Sequence, residues 1–240
     1  RIGATSGYRW YMPIKGNFWS LVRSVWNMTS ANVLFSDKYN FAWGGSMAIR
    51  RTTFEELRIV RKWQTGLSDD MILSQAVKAG GYQIKFVPQS IVATYEKTSW
   101  RSLLEWTSRQ LTIVRMYEPK LWKFAAFPQW LFNLIFLLGS YLVLKGLLTN
   151  SVIPVAAWLM MSDLPMGGII NSVRFSTFQK VMPAFRKQMA SYWWAYATLH
   201  LVASFVMSWS LLKSSRSNRI TWRGIQYEMR SPERTVVIPG

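Results

Sequence analysis

The longest apolar stretches of the sequence all lie in its second half, where charged residues are rare. Residues 125–148 are long enough to cross a bilayer and carry a single lysine near their end. Residues 189–212 form another uncharged run, with tryptophan and tyrosine near one end. Residues 151–171 are a weaker run because they contain two prolines and Asp163. Such runs are unusual together in a soluble core, so the pattern predicts two to three membrane helices over residues 122–212.

Basic residues flank these runs and set an expectation for topology. The first half of the chain, the loop at residues 171–188 and the tail after Leu212 are all rich in lysine and arginine. The positive-inside rule places all three on the cytoplasmic side. Three full crossings would leave the tail opposite the first half. We therefore expect an integral membrane protein in which one apolar run does not cross, with residues 213–240 forming a basic cytoplasmic tail.

The first half has the alternating helix and strand patterns of a folded α/β domain. Residues 69–79 predict a helix, which Gly80 and Gly81 end. The next segment, YQIKFVP, alternates in the manner of a strand, and residues 86–96 predict a buried strand with an extended continuation. A helix, a glycine pair and a strand in this order are typical of an α/β fold.

A further helix is predicted over residues 99–117, with Ser99 as its N-cap. Its apolar stripe consists of Trp100, Leu103, Leu104, Leu111 and Val114. The arginines of this segment lie largely off that stripe. Because the segment precedes the first membrane run, we expect residues 99–121 to form an amphipathic helix at the membrane interface.

Composition and charge narrow the classes of function. The 240 residues include 29 lysines and arginines against 11 acidic residues, which gives a formal net charge of +18. This charge favours an anionic partner, namely nucleic acid, a membrane face or a negatively charged small substrate. The sequence has no cysteine, which excludes disulfides and thiolate metal sites. The single histidine, His200, argues against a histidine metal site or a Ser-His-Asp triad.

An adjacent pair of acids, Asp69 and Asp70, stands out in so basic a chain. Three interpretations are open from the residues alone. Ser68 or Asp69 is a helix N-cap, with acids favoured by the positive helix end. A carboxylate held at the helix start beside a glycine loop is also suited to removing a proton from an acceptor hydroxyl. A metal site is weakly indicated, since no further acid is close in sequence.

Four segments follow one another along nearly the whole chain and together resemble a known family. They are 41-FAWGGSMAIRR-51, LSDDM with the GGYQIKFVP that follows it, 106-WTSRQLTIVRMY-117 and 220-ITWRGIQYEMR-230. These are similar to the acceptor-pocket, Asp/Glu-Asp-x-x-Leu, Gln/Arg-x-x-Arg-Trp and C-terminal segments of membrane-bound inverting glycosyltransferases with the GT-A fold, of the family 2 or 21 type. The resemblance is strongest to ceramide glucosyltransferase-like proteins. It implies an α/β, partial GT-A (Rossmann-like) domain followed by an α-helical membrane region.

The resemblance assigns roles to two groups of residues around the acceptor. Asp70 matches the general base, which takes the proton of a lipid hydroxyl as that oxygen attacks the anomeric carbon. Asp69 would orient the loop or assist the acceptor site. Trp43, Gly44 and Gly45 match the segment that lines the acceptor pocket. Without the resemblance, the glycine pair is an ordinary turn and Trp43 a core residue.

Another group of residues matches positions near the leaving diphosphate. Arg109 matches the arginine that neutralises it, a bidentate task suited to a guanidinium. The motif departs from the family here, because Gln110 occupies the tryptophan position and Trp106 stands where glutamine or arginine is expected. The alternative for Arg109 is a solvated basic residue. The tail supplies three candidate diphosphate contacts, which alternatively anchor the tail at the membrane interface: Trp222, Arg223 and Tyr227.

The resemblance also predicts what this chain lacks. The family binds UDP-glucose through an Asp-x-Asp and a divalent metal, Mg²⁺ or Mn²⁺, and no Asp-x-Asp occurs in the sequence. We therefore expect residues 1–98 to be the C-terminal, acceptor half of a GT-A catalytic domain, with no metal ligands in this chain. A fragment without the nucleotide-binding half is expected to be inactive alone. The partners implied are a nucleotide sugar, a membrane lipid acceptor such as ceramide, and the bilayer.

Two other functions remain open at this stage. A processive polysaccharide synthase would keep the same fold, although such enzymes typically retain Gln-x-x-Arg-Trp. A basic membrane protein that binds anionic lipid or nucleic acid is the non-enzyme alternative, and it rests on charge and tryptophan content alone. The sequence has no recognised nucleic-acid motif, so no nucleic-acid partner is predicted.

Overall fold

The computed structural model describes residues 1–239. The strands of this part of the chain are β1 (Ile2–Met12), β2 (Met47–Ile49), β3 (Gln83–Tyr95), β4 (Arg219–Trp222), β5 (Ile225–Ser231) and β6 (Arg234–Ile238). The helices are α1 (Phe18–Ala31), α2 (Arg51–Glu56), α3 (Ile59–Trp63), α4 (Asp69–Ala79), α5 (Trp100–Tyr117), α6 (Pro119–Leu148), α7 (Val155–Met160), α8 (Asp163–Val181), α9 (Arg186–Ala190), α10 (Trp193–Thr198) and α11 (His200–Arg216).

The first half folds around a small mixed sheet in the order β2-β1-β3. β1 pairs in parallel with β3 and antiparallel with β2. The segment between β1 and β3 contains α1 and α4, so the predicted α/β character is confirmed. One detail differs, because residues 86–96 are half-buried or exposed rather than buried. Residues 86–95 form the C-terminal part of β3, an edge strand of this sheet.

Local signals fix the two helices that the sequence predicted here. Ser68 caps α4, and the chain leaves the helix through Gly81, whose φ of 76° favours glycine. Ser99 caps α5 in a reciprocal arrangement with Ser102. Both helices therefore begin where the N-cap residues predict.

The predicted membrane region is less regular than expected. Within residues 1–239, only Pro119–Leu148 is long and apolar enough, by length and composition, to cross a membrane. The run at 151–171 is divided between α7 and α8, and the run at 189–212 is divided among α9, α10 and α11. One helix is thus a membrane-spanning candidate, and the two to three membrane helices expected over residues 122–212 stay a prediction.

Helix α6 carries its apolar side chains outward and its polar ones toward α11. Phe124 and Leu148 are each 78% exposed. On the inner side, the Asn133 amide donates to Ser208 Oγ at 2.7 Å and accepts from Ser204 Oγ at 2.8 Å. This distribution is the reverse of that of a soluble amphipathic helix and is typical of helices that meet within lipid.

The α/β half and the later helices share one core. Trp10 of β1 packs against Phe178 of α8, with ring centroids 4.6 Å apart, and against Tyr196 of α10 at 6.0 Å. On the other side, α5 packs along α11, where the hydroxyls of Thr107 and Ser210 lie 2.7 Å apart. The shared core holds the sheet and α5 in a fixed relation.

The segment predicted as a basic tail is an ordered sheet over much of its length. Strands β4, β5 and β6 form an antiparallel sheet in sequence order. β4 and β5 are joined by a two-residue turn in which Arg223 has a φ of 51° and Gly224 a φ of 80°, the positive values that such hairpins require. This sheet was not predicted from the sequence.

Candidate functional site

The candidate base lies in the first turn of α4. Ser68, the N-cap, accepts a hydrogen bond from the Met71 amide, and its hydroxyl donates to Asp70 Oδ1. The Met71 amide also donates to the same carboxylate oxygen at 2.8 Å. Ser68 therefore both caps α4 and holds the Asp70 side chain in position. Asp69 is exposed, whereas Asp70 is half-buried.

The other carboxylate oxygen of Asp70 faces the turn that contains the glycine pair. We call Trp43–Ser46 the double-glycine turn, which is closed by a hydrogen bond from the Ser46 amide to the Trp43 carbonyl at 2.9 Å. The Gly44 amide donates to Asp70 Oδ2 at 3.2 Å. A Cβ on Gly44 would lie 3.2 Å from that oxygen, so a larger residue would crowd it. This contact confirms the expected proximity of Asp70 to the turn.

The pKa of Asp70 is raised above its usual value. Burial is the largest cause, and the neighbouring charge of Asp69 adds to it. The hydrogen bonds from Ser68, Gly44 and Met71 act in the opposite direction but do not cancel the effect of burial. A carboxylate with a raised pKa is a better proton acceptor than one in water, and a carboxylate has about four lone-pair sites. Oδ2, with one donor, thus retains capacity to accept a proton.

Tyr117, at the end of α5, fixes the loop that leads into α4. Its hydroxyl accepts hydrogen bonds from the amides of Leu67, at 3.2 Å, and Ser68, at 3.3 Å. The Tyr117 carbonyl accepts from the Gln75 amide group at 2.6 Å. The end of α5 is therefore tied to the N-terminus of α4 at several points. Tyr117 was not predicted as a site residue, because no sequence pattern near a tyrosine at a helix end indicates hydrogen bonds to a loop about 50 residues away.

The three residues that match the acceptor-pocket segment differ in how exposed they are. Trp43 is half-buried, and its ring meets Tyr8 edge-on with centroids 4.6 Å apart. Gly44 and Gly45 are exposed, which leaves the turn accessible. The guanidinium that lies against Gly45 is that of Arg9, whose Nε and Nη2 are each 3.1 Å from the position of a Cβ on Gly45. Arg9 was not among the residues that the sequence singled out.

The residues from α5 that were expected to bind substrate do not share one environment. Trp106 is buried in the core, edge-on to Tyr11 at 5.1 Å and to Trp26 at 5.0 Å, so its ring is a packing element rather than a substrate contact. Gln110 is half-buried. Arg109 is also half-buried, and burial lowers the pKa of its guanidinium. The burial of these residues therefore differs, which the motif alone could not reveal.

The sheet at residues 219–238 folds back onto the site-forming elements. Arg109 Nη1 donates to the Thr221 carbonyl of β4 at 3.3 Å. At the other end of this sheet, the Thr235 amide donates to the Thr65 carbonyl at 2.9 Å, in the loop just before α4. The sheet thus bridges α5 and the loop that precedes Asp70. Among the predicted tail contacts, Trp222 and Arg223 are exposed and Tyr227 is half-buried.

The acid pair is a poor match to a divalent cation. Asp69 and Asp70 lack a third acid to complete an oxygen ligand set. Across residues 1–239, no three acidic or histidine side chains form a group that could hold a metal ion. The divalent metal expected for the family therefore stays a prediction, and no step of the reaction is assigned to it here.

Comparison with known proteins gives one match that covers most of the chain. The family model for glycosyl transferase family 21 matches residues 23–235. This range includes the double-glycine turn, α4, α5 and the sheet at residues 219–238. No curated protein matches the chain.

Proposed function

The chain belongs to glycosyl transferase family 21, and from this we propose that it transfers glucose from UDP-glucose to the hydroxyl of a membrane lipid such as ceramide. Glycosyl transfer follows from the family, whereas the sugar, the lipid and the stereochemistry are our proposal. The reaction would invert the anomeric carbon, because one direct displacement moves the sugar from the nucleotide to the lipid oxygen.

One observation carries the proposal, namely the placement of Asp70 at the double-glycine turn. The lipid hydroxyl would enter at this turn and attack the anomeric carbon while the bond to the UDP oxygen breaks. Asp70 Oδ2 would take the hydroxyl proton, for which its raised pKa is suited. The hydrogen bonds from Ser68 and Gly44 would hold the carboxylate in position during the transfer. Asp69, exposed beside it, would assist the acceptor site.

The negative charge that develops on the leaving diphosphate needs cations nearby. Arg109 and Gln110 on α5 would lie on that side of the site. Trp222, Arg223 and Tyr227 of the adjoining sheet are proposed to close around the diphosphate, since Arg109 already contacts β4. Trp106 is omitted from this set because it is buried in the core.

The proposed location is the cytoplasmic membrane face. α6 would cross the bilayer, and α5, which ends directly before it, would lie at the surface. The net charge of +18 would attract both the anionic leaflet and the nucleotide. In this arrangement a lipid hydroxyl reaches Asp70 from the membrane side.

Substitution of Asp70 tests this function. We expect Asp70→Asn, expressed from the complete reading frame in membranes, to lower the transfer of labelled sugar to lipid by about 10²-fold or more, the usual contribution of a general base. Asp37→Asn, at an exposed acid, is the matched control and should keep wild-type transfer. Asp69→Asn should fall between them. Transfer by Asp70→Asn at the wild-type rate would show that Asp70 is not the base.

A further inference from the structure

Arg9 is a cation that the protein leaves without an ionic partner. It lies on β1, ahead of the residues that match the family, and it is half-buried. Its Nε is buried and has no hydrogen-bond partner. None of the ion pairs found in residues 1–239 includes it. An unmet donor on a charged, partly buried group is unfavourable unless a ligand satisfies it.

Arg23 and Arg115 also have a buried Nε without a hydrogen-bond partner, but other nitrogens of their guanidinium groups are bonded. Arg23 is buried, forms an ion pair with Glu96 at 2.7 Å and stacks 3.8 Å from the centre of the Tyr11 ring. Arg115 donates to the Ser217 carbonyl at 3.1 Å. Both have structural partners of their own. Arg9 is anchored through its backbone, whose carbonyl accepts from the Asn27 amide group at 2.8 Å, and this leaves the guanidinium available.

The double-glycine turn brings Arg9 close to the candidate base. Gly44 contacts the Asp70 carboxylate, and the next residue, Gly45, lies against the Arg9 guanidinium. Arg9 and Asp70 form no ion pair in the part of the chain that the structure describes. Asp70 and the unpaired Arg9 therefore lie against two adjacent glycines, Gly44 and Gly45, of one exposed turn.

We propose that Arg9 binds a phosphate group of the substrate at the double-glycine turn. A guanidinium offers planar, paired donors that match phosphate oxygens. The phosphate belongs to the nucleotide sugar, an identification that rests on the proposed function. The headgroup of an anionic lipid is the other source of the same chemistry.

Binding of inorganic pyrophosphate tests the site without requiring sugar transfer. The 240-residue chain in phosphatidylcholine nanodiscs is titrated with pyrophosphate by calorimetry. We expect Arg9→Gln to weaken binding about tenfold or more, as for loss of a hydrogen bond to a charged group. Arg9→Lys should retain part of the affinity because it keeps the charge. Arg61→Gln, at an exposed arginine of α3, is the matched control and should bind like the wild type.

A second arm identifies the source of the phosphate. The same variants are placed in nanodiscs that contain phosphatidic acid, and retention of that lipid by the purified protein is measured. If Arg9→Gln weakens only the binding of pyrophosphate, the result supports a phosphate of the nucleotide. If it lowers only the retention of phosphatidic acid, the result supports a lipid headgroup and overturns the nucleotide assignment. If Arg9→Gln alters neither arm, the proposal fails.

A further variant covers the case in which Arg9→Gln does not fold. Gly45→Ala keeps Arg9 but places a methyl group 3.1 Å from its guanidinium, which must then move. This variant should weaken pyrophosphate binding with a near-normal melting temperature, and wild-type binding would count against the site. Since no transfer is measured, failure of this binding is distinct from failure of the proposed glycosyl transfer.

Discussion

Replacing Ser68 with alanine separates the two tasks of a single hydroxyl. In the wild type this hydroxyl accepts from the Met71 amide at the start of α4 and donates to Asp70 Oδ1. Loss of an N-cap of this kind costs about 1 kcal/mol of folding free energy. For a chain of this size, that corresponds to a fall in melting temperature of about 2–4 °C.

The effect on Asp70 has a definite direction. The Ser68 hydrogen bond lowers the pKa of Asp70 by stabilising its charged form. Without it, the pKa rises further, and the carboxylate becomes available only at higher pH. The acid limb of the rate of lipid glycosylation should therefore move to higher pH in Ser68→Ala, while the rate well above that limb changes much less. Rates measured from pH 4 to 9 with labelled nucleotide sugar give this profile.

A matched cap on another helix provides the control. Ser99 accepts from the Ser102 amide at 3.2 Å at the start of α5 and contacts no acid that the mechanism uses. Ser99→Ala should lower the melting temperature by a similar amount and leave the acid limb in place. The reasoning is refuted if Ser68→Ala has the wild-type pH profile, or if both variants shift it equally.

Two other changes test the contacts that hold the site and the membrane helix. Tyr117→Phe removes the acceptor for the amides of Leu67 and Ser68, so we expect a loss of about 1–3 kcal/mol in unfolding free energy, measured by denaturation in micelles. Wild-type stability in that variant would mean that water satisfies both amides. Asn133→Ala removes the hydrogen bond to Ser208 between α6 and α11, and should cost about 0.6–1.7 kcal/mol. An unchanged melting temperature in nanodiscs would contradict that pairing.

Local signals in the sequence predicted the parts of the site that depend on nearby residues. The range of α4 follows from Ser68 at one end and the glycine pair at the other, and both lie within a few residues of the helix. The proximity of Asp70 to Gly44 was expected from the family resemblance, and the hydrogen bond between them agrees with it. In both cases the information was present in a short motif.

Contacts between distant segments were not predictable in the same way. Trp106 was placed in the substrate site from its motif, but packing against Tyr11 and Trp26 buries it. Arg9 reaches the site because β1 pairs in antiparallel fashion with β2, which directly follows the double-glycine turn. Tyr117 reaches it through the contacts of α5 with α4 and the loop before it, and neither residue leaves a local pattern. The sheet at residues 219–238 did leave a local pattern in the sequence, because the two-residue turn at Arg223 and Gly224 lies between two segments in which apolar and polar residues alternate.

The sheet at residues 219–238 has a consequence for the order in which the protein is made. Its contact with Thr65 joins residues whose synthesis is separated by about 170 residues, which takes roughly ten to thirty seconds at the usual rates of translation. Every helix from α5 to α11 emerges from the ribosome in that interval. The contact between Thr235 and Thr65 can therefore form only after all of those helices have been synthesised. Until then, the loop before Asp70 lacks its hydrogen bond from Thr235.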